Sequence, residues 1–183
     1  MKDTIFALST VPGISAISVF RISGPNAFPV LRKIIKGKIP DYRYATLKKI
    51  FWNGEVVDKC IVITFNRNES YSGENTVEIH CHGSVAVIEK LVSVLMSYGS
   101  TLKLRPAEEG EFTRQAFYNG KMDLIQIEGL SDLLKAETEA QRKLAYQSLD
   151  GMVSKKVDQW RSEIISILAF LEAGIDFADQ DLG

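Results

Sequence analysis

Short apolar and β-branched runs fill the first two-thirds of the chain, and stripes at three- and four-residue spacing fill the remainder. Residues 5–8 and 16–22 are separated by Val11-Pro12-Gly13 and predict two strands. Ser23-Gly24-Pro25-Asn26 then punctuates the chain, and Phe28, Leu31, Ile34 and Ile35 follow at helical spacing until Gly37. Asn53-Gly54, between apolar runs at 47–52 and 56–57, predicts a hairpin with a type I′ turn. Residues 60–65 read as a further strand. Val85, Ile88, Val92 and Leu95 predict an amphipathic helix that Gly99 ends, with residues 101–104 returning as a strand. Strands, hairpins and helices without regular βαβ units predict an α+β fold.

The pattern changes near Asn119-Gly120, beyond which there is no convincing strand and no proline. Two domains are therefore expected, 1–120 and 121–183. In the second, Ile127, Leu130 and Leu134 begin a helix, and Thr138 with Gln141 has the spacing of a capping box that starts another. Ala145, Leu149, Val153, Val157, Trp160, Ile164, Leu168 and Leu171 continue one stripe. They predict a single helix of more than ~30 residues in which Gly151 costs about 1 kcal/mol. Such a stripe needs partner helices, so sequence beyond these residues or another subunit is expected to complete the bundle. The closing Ala178-Asp179-Gln180-Asp181-Leu182-Gly183 carries no stop signal.

Composition narrows the class without naming a function. The 183 residues are 45% hydrophobic and 25% charged, as in folded soluble domains. Twenty-two basic and twenty-three acidic residues nearly cancel, so overall charge advertises no nucleic-acid or anionic-membrane partner, though a local patch could hide within it. Cys60 and Cys81 lie in apolar runs and read as reduced core thiols, which fits the cytoplasm. Lys2 is followed at once by Asp3 and no long apolar stretch exists, so neither a signal peptide nor a membrane span is expected.

Tyr71-Ser72-Gly73-Glu74-Asn75 supplies turn chemistry, and the strand-like run that follows separates two faces. Val77, Ile79 and Cys81 lie on one. Glu78, His80 and His82 lie on the other, bringing both histidines of the chain beside a carboxylate. A His-x-His pair can chelate zinc, but further ligands are lacking, so histidines hydrogen-bonded within the sheet are favoured. Glu78 is different, because a carboxylate facing a cleft accepts paired N–H donors. Arg21 ends a strand before a Ser-Gly-Pro loop, where it either meets an anionic or planar ligand or pairs with an acidic neighbour. Lys121 follows the glycine breaks around Gly110-Glu111-Phe112-Thr113 and stands at the expected domain junction, as a ligand contact or a solvated lysine. No G-x-x-x-x-G-K-[ST] phosphate loop, G-x-G-x-x-G turn or G-x-S-x-G elbow occurs.

Phe20-Arg21-Ile22-Ser23-Gly24-Pro25, Tyr71-Ser72-Gly73-Glu74, Val77-Glu78-Ile79-His80-Cys81-His82-Gly83 and the run from Gly110-Glu111-Phe112 to Lys121-Met122-Asp123-Leu124 occur in that order. Together with Glu137-Thr138-Glu139-Ala140 and Glu172-Ala173-Gly174-Ile175-Asp176-Phe177, they resemble the N-terminal part of the bacterial tRNA-modification GTPases of the MnmE (TrmE) family. The resemblance covers essentially the whole chain. It implies a mixed-sheet, aminomethyltransferase-like folate-binding domain that also forms the homodimer, followed by long helices of an incomplete helical domain. It further implies a flavoprotein partner, MnmG (GidA), and tRNA whose wobble uridine is modified at carbon 5 with a folate-borne one-carbon unit. GTP hydrolysis with potassium and magnesium is expected to belong to a domain outside these residues.

Carried over by motif, the 5-formyltetrahydrofolate contacts fall on Arg21, Glu78 and Lys121. Val11-Pro12-Gly13-Ile14-Ser15 departs from the family's Pro-Pro-Gly-Arg-Gly run, and Glu109-Gly110-Glu111-Phe112 from its Pro-Gly-Glu-Phe element. A stand-alone aminomethyltransferase-like folate enzyme and a purely structural dimerisation fragment are the alternative readings.

Overall fold

Residues 3–178 are described in the computed structural model. The start read for a leader at Met1-Lys2 and the unstopped end at 179–183 lie outside the described residues. The chain divides between Lys121 and Met122 into two compact units.

The first unit is a mixed sheet with helices. Its elements are β1 (Thr4–Leu8), β2 (Ser15–Ser23), α1 (Ala27–Ile34), β3 (Thr46–Trp52), β4 (Glu55–Phe65), β5 (Thr76–Gly83), α2 (Val85–Met96), α3 (Gly99–Leu102), β6 (Leu104–Pro106) and α4 (Glu111–Tyr118). The strand order is β3-β4-β5-β2-β1-β6, antiparallel except for the parallel pair β1–β6. Alternation along the strands turns Ile50, Val62, Val77, Ile79, Phe20 and Ile22 inward. Against them pack Val30, Leu31 and Ile34 of α1 and Leu91, Val94 and Leu95 of α2, all without exposed surface. Each such side chain contributes about 2 kcal/mol by leaving water. The same alternation leaves the opposite face for Arg21, Glu78 and His80.

Asn53 and Gly54 have φ of 49° and 87°, the pair of left-handed residues that a type I′ hairpin requires. Two local expectations are corrected. Residues 56–57 and 60–65 belong to one eleven-residue strand, β4. Its polar interruption, Asp58-Lys59, stays on the ladder opposite Ile50 and Lys49, because Asp58 finds donors in β5. Residues 101–104 are not a strand: Gly99–Leu102 makes one helical turn, Lys103 ends it at φ 47°, and β6 begins at Leu104. Tyr98 and Leu102 pack on the core there, four positions apart on one face of the helical turn.

The second unit consists, among the described residues, of α5 (Leu124–Lys135), α6 (Glu139–Leu149) and α7 (Met152–Ala178). Thr138 and Gln141 form the expected capping box; Asp123 and Gln126 form a second one that sequence reading missed. The single long helix is corrected to two. Gly151 takes φ 77° and its N–H caps the Ser148 carbonyl, so α6 stops at Leu149. Gln126 Nε2 also donates to the Leu149 carbonyl at 3.1 Å, bonding α5 to the end of α6. Those helices pack closely at Gly129, where a Cβ would lie 2.5 Å from the Leu149 nitrogen. On α7, Trp160, Ile164, Leu168 and Leu171 remain exposed, the stripe read from sequence without its cover.

Candidate functional site

Arg21 and Glu78 are register partners on β2 and β5, so the antiparallel ladder alone brings their side chains to one face. Arg21 donates from Nε at 3.1 Å and from Nη2 at 2.9 Å, both to Oε1 of Glu78. The pair is half-buried. Its guanidinium carbon lies 5.3 Å from the centre of the Tyr71 ring and 5.5 Å from that of Phe112, within cation–π range. Tyr71 is placed by its hydroxyl, 2.8 Å from the Thr113 hydroxyl on α4.

Glu78 Oε2 faces Nε2 of His80 at 3.5 Å. That nitrogen is shut off from water yet is not aligned for a hydrogen bond. His82 turns elsewhere. Its Nδ1 lies 2.8 Å from Asp58 Oδ1 and its backbone N–H donates to Oδ2 at 2.9 Å. Burial would raise the Asp58 carboxyl, but these two bonds and one from the Lys59 N–H hold it below its ordinary value. Among the described residues no cluster of His, Cys, Asp and Glu is arranged to hold a metal ion. The inward cysteines are free, with Cys81 pushed up to about 11 by burial and Cys60 higher still.

Lys121 is exposed at the end of the first unit, where its ammonium donates to the Asn68 carbonyl rather than to Glu78. The structure thus joins Arg21 to Glu78 directly and holds Lys121 on the Asn66–Ser70 turn. Behind these groups lies a hydrogen-bonded layer that links three elements. Ser23 Oγ is 2.6 Å from Ser72 Oγ and donates to Gln115 Oε1 at 2.7 Å. Asn119 donates to the Ser72 carbonyl and to Glu74 Oε1. Gly73 sits against Asn119 at φ 72°, where a Cβ would come within 2.5 Å of the Asn119 Cβ. Glu111, at the start of α4, holds Arg105 through both carboxylate oxygens, at 2.6 and 2.9 Å.

Tyr71 and Phe112 are the members that sequence reasoning did not single out. Each lies inside a quoted motif, Tyr71 in the turn before β5 and Phe112 in the glycine-flanked run. Their aromatic character beside a predicted arginine was the available signal. The face can offer one carboxylate oxygen without a hydrogen-bond donor, an arginine, and aromatic edges. Such a face can accept an N–H donor at the free carboxylate oxygen and border a flat ring with its aromatic side chains.

Residues 4–121 match the family described as GTP-binding protein TrmE N-terminus, and residues 124–183 match the MnmE helical domain. The chain is 46% identical over 182 residues to a tRNA modification GTPase MnmE of Caulobacter vibrioides, covering all of this chain and 40% of that protein. It is 46% identical over 180 residues to the protein of that name in Agrobacterium fabrum, covering 98% and 40%. With that of a Bradyrhizobium species it shares 48% over 179 residues, covering 97% and 39%. The chain therefore spans about two fifths of the length of the curated relatives it matches.

Proposed function

Because the chain belongs to the MnmE family of tRNA modification GTPases, we propose that it is the folate-binding and dimerising segment of such an enzyme. The observation that carries this reading is the half-buried Glu78, paired to Arg21 across the ladder and bordered by Tyr71 and Phe112. In the bound state Glu78 accepts the two N–H donors of a pterin edge, which neither Arg21 nor Lys121 could do. Arg21 and Lys121 turn to the formyl oxygen and the glutamate-tail carboxylates of 5-formyltetrahydrofolate or another one-carbon tetrahydrofolate. Lys121 gives up its bond to the Asn68 carbonyl to do so.

In the whole enzyme the one-carbon unit would go to carbon 5 of a tRNA wobble uridine, with a flavoprotein of the MnmG type as partner. GTP, potassium and magnesium would be bound by a GTPase domain, and these 183 residues contain no G-x-x-x-x-G-K-[ST] loop. On this reading the protein works in the cytoplasm. Separately, no described helix is long and apolar enough to cross a membrane.

Calorimetric titration with 5-formyltetrahydrofolate, run beside sedimentation of the free protein, tests the reading. Saturable binding by a dimer is expected, weakened about tenfold or more by Glu78→Gln, or 1.4 kcal/mol and above. A variant affinity within twofold of wild type would remove Glu78 from the pterin clamp. A dimer without binding would leave a structural module, and turnover of a methylamine donor would make the chain an aminomethyltransferase.

A further inference from the structure

Seven basic residues and one acidic residue occupy positions 32–49, leaving fifteen basic against twenty-two acidic for the rest of the chain. The near-neutral total therefore conceals a concentrated positive segment. The fold gathers it at one edge of the sheet. An isolated bridge between Ile35 and Ile50 sets Lys36 beside β3, where its ammonium lies 4.4 Å from the centre of the Phe51 ring. Lys49 of β3 stands directly opposite Lys59 of β4, and both are exposed. Among the described residues, no carboxylate pairs with Arg32, Lys33, Lys36, Lys49 or Lys59.

Some of this charge has ordinary reasons. Arg32 and Lys33 are in the last turn of α1, where the helix dipole favours cations. A lysine on the edge strand β3 discourages stray strand pairing. Neither reason covers Lys59, which lies on an interior strand and faces a like charge that destabilises the ladder. Two exposed lysines on one rung of the ladder, neither paired with a carboxylate, suit a partner that carries closely spaced negative charges.

We propose that this edge, with Lys36, Lys49 and Lys59 at its centre, docks the phosphate backbone of RNA. The identity of the polyanion rests on the tRNA-modifying reading above; the surface itself rests on the charge arrangement. Tyr42 and Tyr44 belong to the same basic segment and are 49% and 71% exposed; the Tyr42 ring stacks on Phe28 with ring centres 5.7 Å apart, which leaves Tyr44 as the aromatic face open to an unpaired base. Tyr42 also lines a cleft of about 500 Å³ with Phe28, Arg32 and Lys38. A membrane surface fits less well. The apolar face of α1 is spent in the core, so no amphipathic helix is free to insert. On the patch's own face the exposed register partners Leu47 and Ile61 form an apolar pair, not a stripe.

Fluorescence anisotropy with a labelled, unmodified tRNA transcript, read across a salt series, tests the patch. The triple variant Lys36→Gln, Lys49→Gln, Lys59→Gln is expected to bind tenfold or more weakly at low salt. Its salt slope should fall by about one per removed phosphate contact. Lys49→Gln alone should lower the slope by about one, which keeps the test sharp if the triple variant folds poorly. A control triple at Lys90, Lys135 and Lys155 should stay within about twofold of wild type. Three results would overturn the proposal: patch and control variants behaving alike, no RNA binding by the wild type, or sedimentation with phosphatidylserine vesicles in place of RNA binding. Titration of the patch variant with 5-formyltetrahydrofolate separates the two readings. Unchanged folate affinity with unchanged RNA affinity removes only the patch, whereas patch-dependent RNA binding without folate binding removes only the folate site.

Discussion

Arg21 spends two donors on one oxygen of Glu78, leaving the second oxygen facing His80 at 3.5 Å. A side-on pair of this kind is less satisfied than a fork that uses both oxygens. Urea unfolding of Arg21→Ala, Glu78→Gln and the double variant is expected to give a coupling of about 1 kcal/mol, modest because both side chains keep some contact with water. A coupling near zero would mean that the pair exerts no hold on the ladder and that β2–β5 register depends on the core residues alone.

Arg105 hydrogen bonds, working against burial, keep the Glu111 carboxyl below its usual range, with help from the Glu108 N–H. The unfolded chain therefore takes up this proton at a higher pH than the folded one. The stabilisation is complete above the unfolded value, near 4.3, and is lost as pH falls through the folded one. Glu111→Gln should cost about 2 kcal/mol at pH 7, and its deficit against wild type should shrink as pH drops below about 4. Urea midpoints measured at pH 7 and pH 3 check the sign; a deficit that grows in acid would contradict it.

Gly73 combines a left-handed backbone with a side chain pressed against it. Gly73→Ala should destabilise the first unit by about 2 kcal/mol, from the φ penalty and the displacement of Asn119. Thermal unfolding followed by circular dichroism would show the loss. An unchanged midpoint would mean that the turn adapts.

Gly151 gives a test by sign. Were it a mid-helix residue, Gly151→Ala would stabilise the chain by about 1 kcal/mol. In the observed left-handed cap it should destabilise by a similar amount. Denaturant unfolding decides between a continuous helix and the break.

Both thiols are buried, and burial raises their ionisation well above neutral pH. Neither Cys60 nor Cys81 should react with Ellman's reagent in the native protein within minutes at pH 8, whereas both should in denaturant. Rapid labelling of one thiol without denaturant would expose an opening of the β4–β5 region.

Much of the local structure was legible because it depends on near neighbours. The period-two run at 76–83, the Asn53-Gly54 turn and the Thr138–Gln141 cap each carry their cause within a few residues. The errors arose where distant partners arbitrate. Asp58-Lys59 reads as an interruption until His82 of another strand supplies its hydrogen bonds. Gly151 reads as a weak point in a helix until the bond from Gln126 to the Leu149 carbonyl favours a stop. Residues 101–104 are apolar enough for either state, and the packing of Leu102 on the core chose a helical turn.

The sequence by itself determined the two-part organisation, the α+β class, the family, and the face on which Glu78 and His80 stand, since strand alternation needs only the order of residues. Only the tertiary structure decided that Arg21 and Glu78 share one rung of the ladder, that Tyr71 and Phe112 border them, and that His82 answers to Asp58. It alone set Lys59 opposite Lys49, beside the basic segment that residue order already concentrates at 32–49. The physical reason is common to all of these: strand register and cross-strand distance are set by the burial of a shared core, which joins residues well separated along the chain.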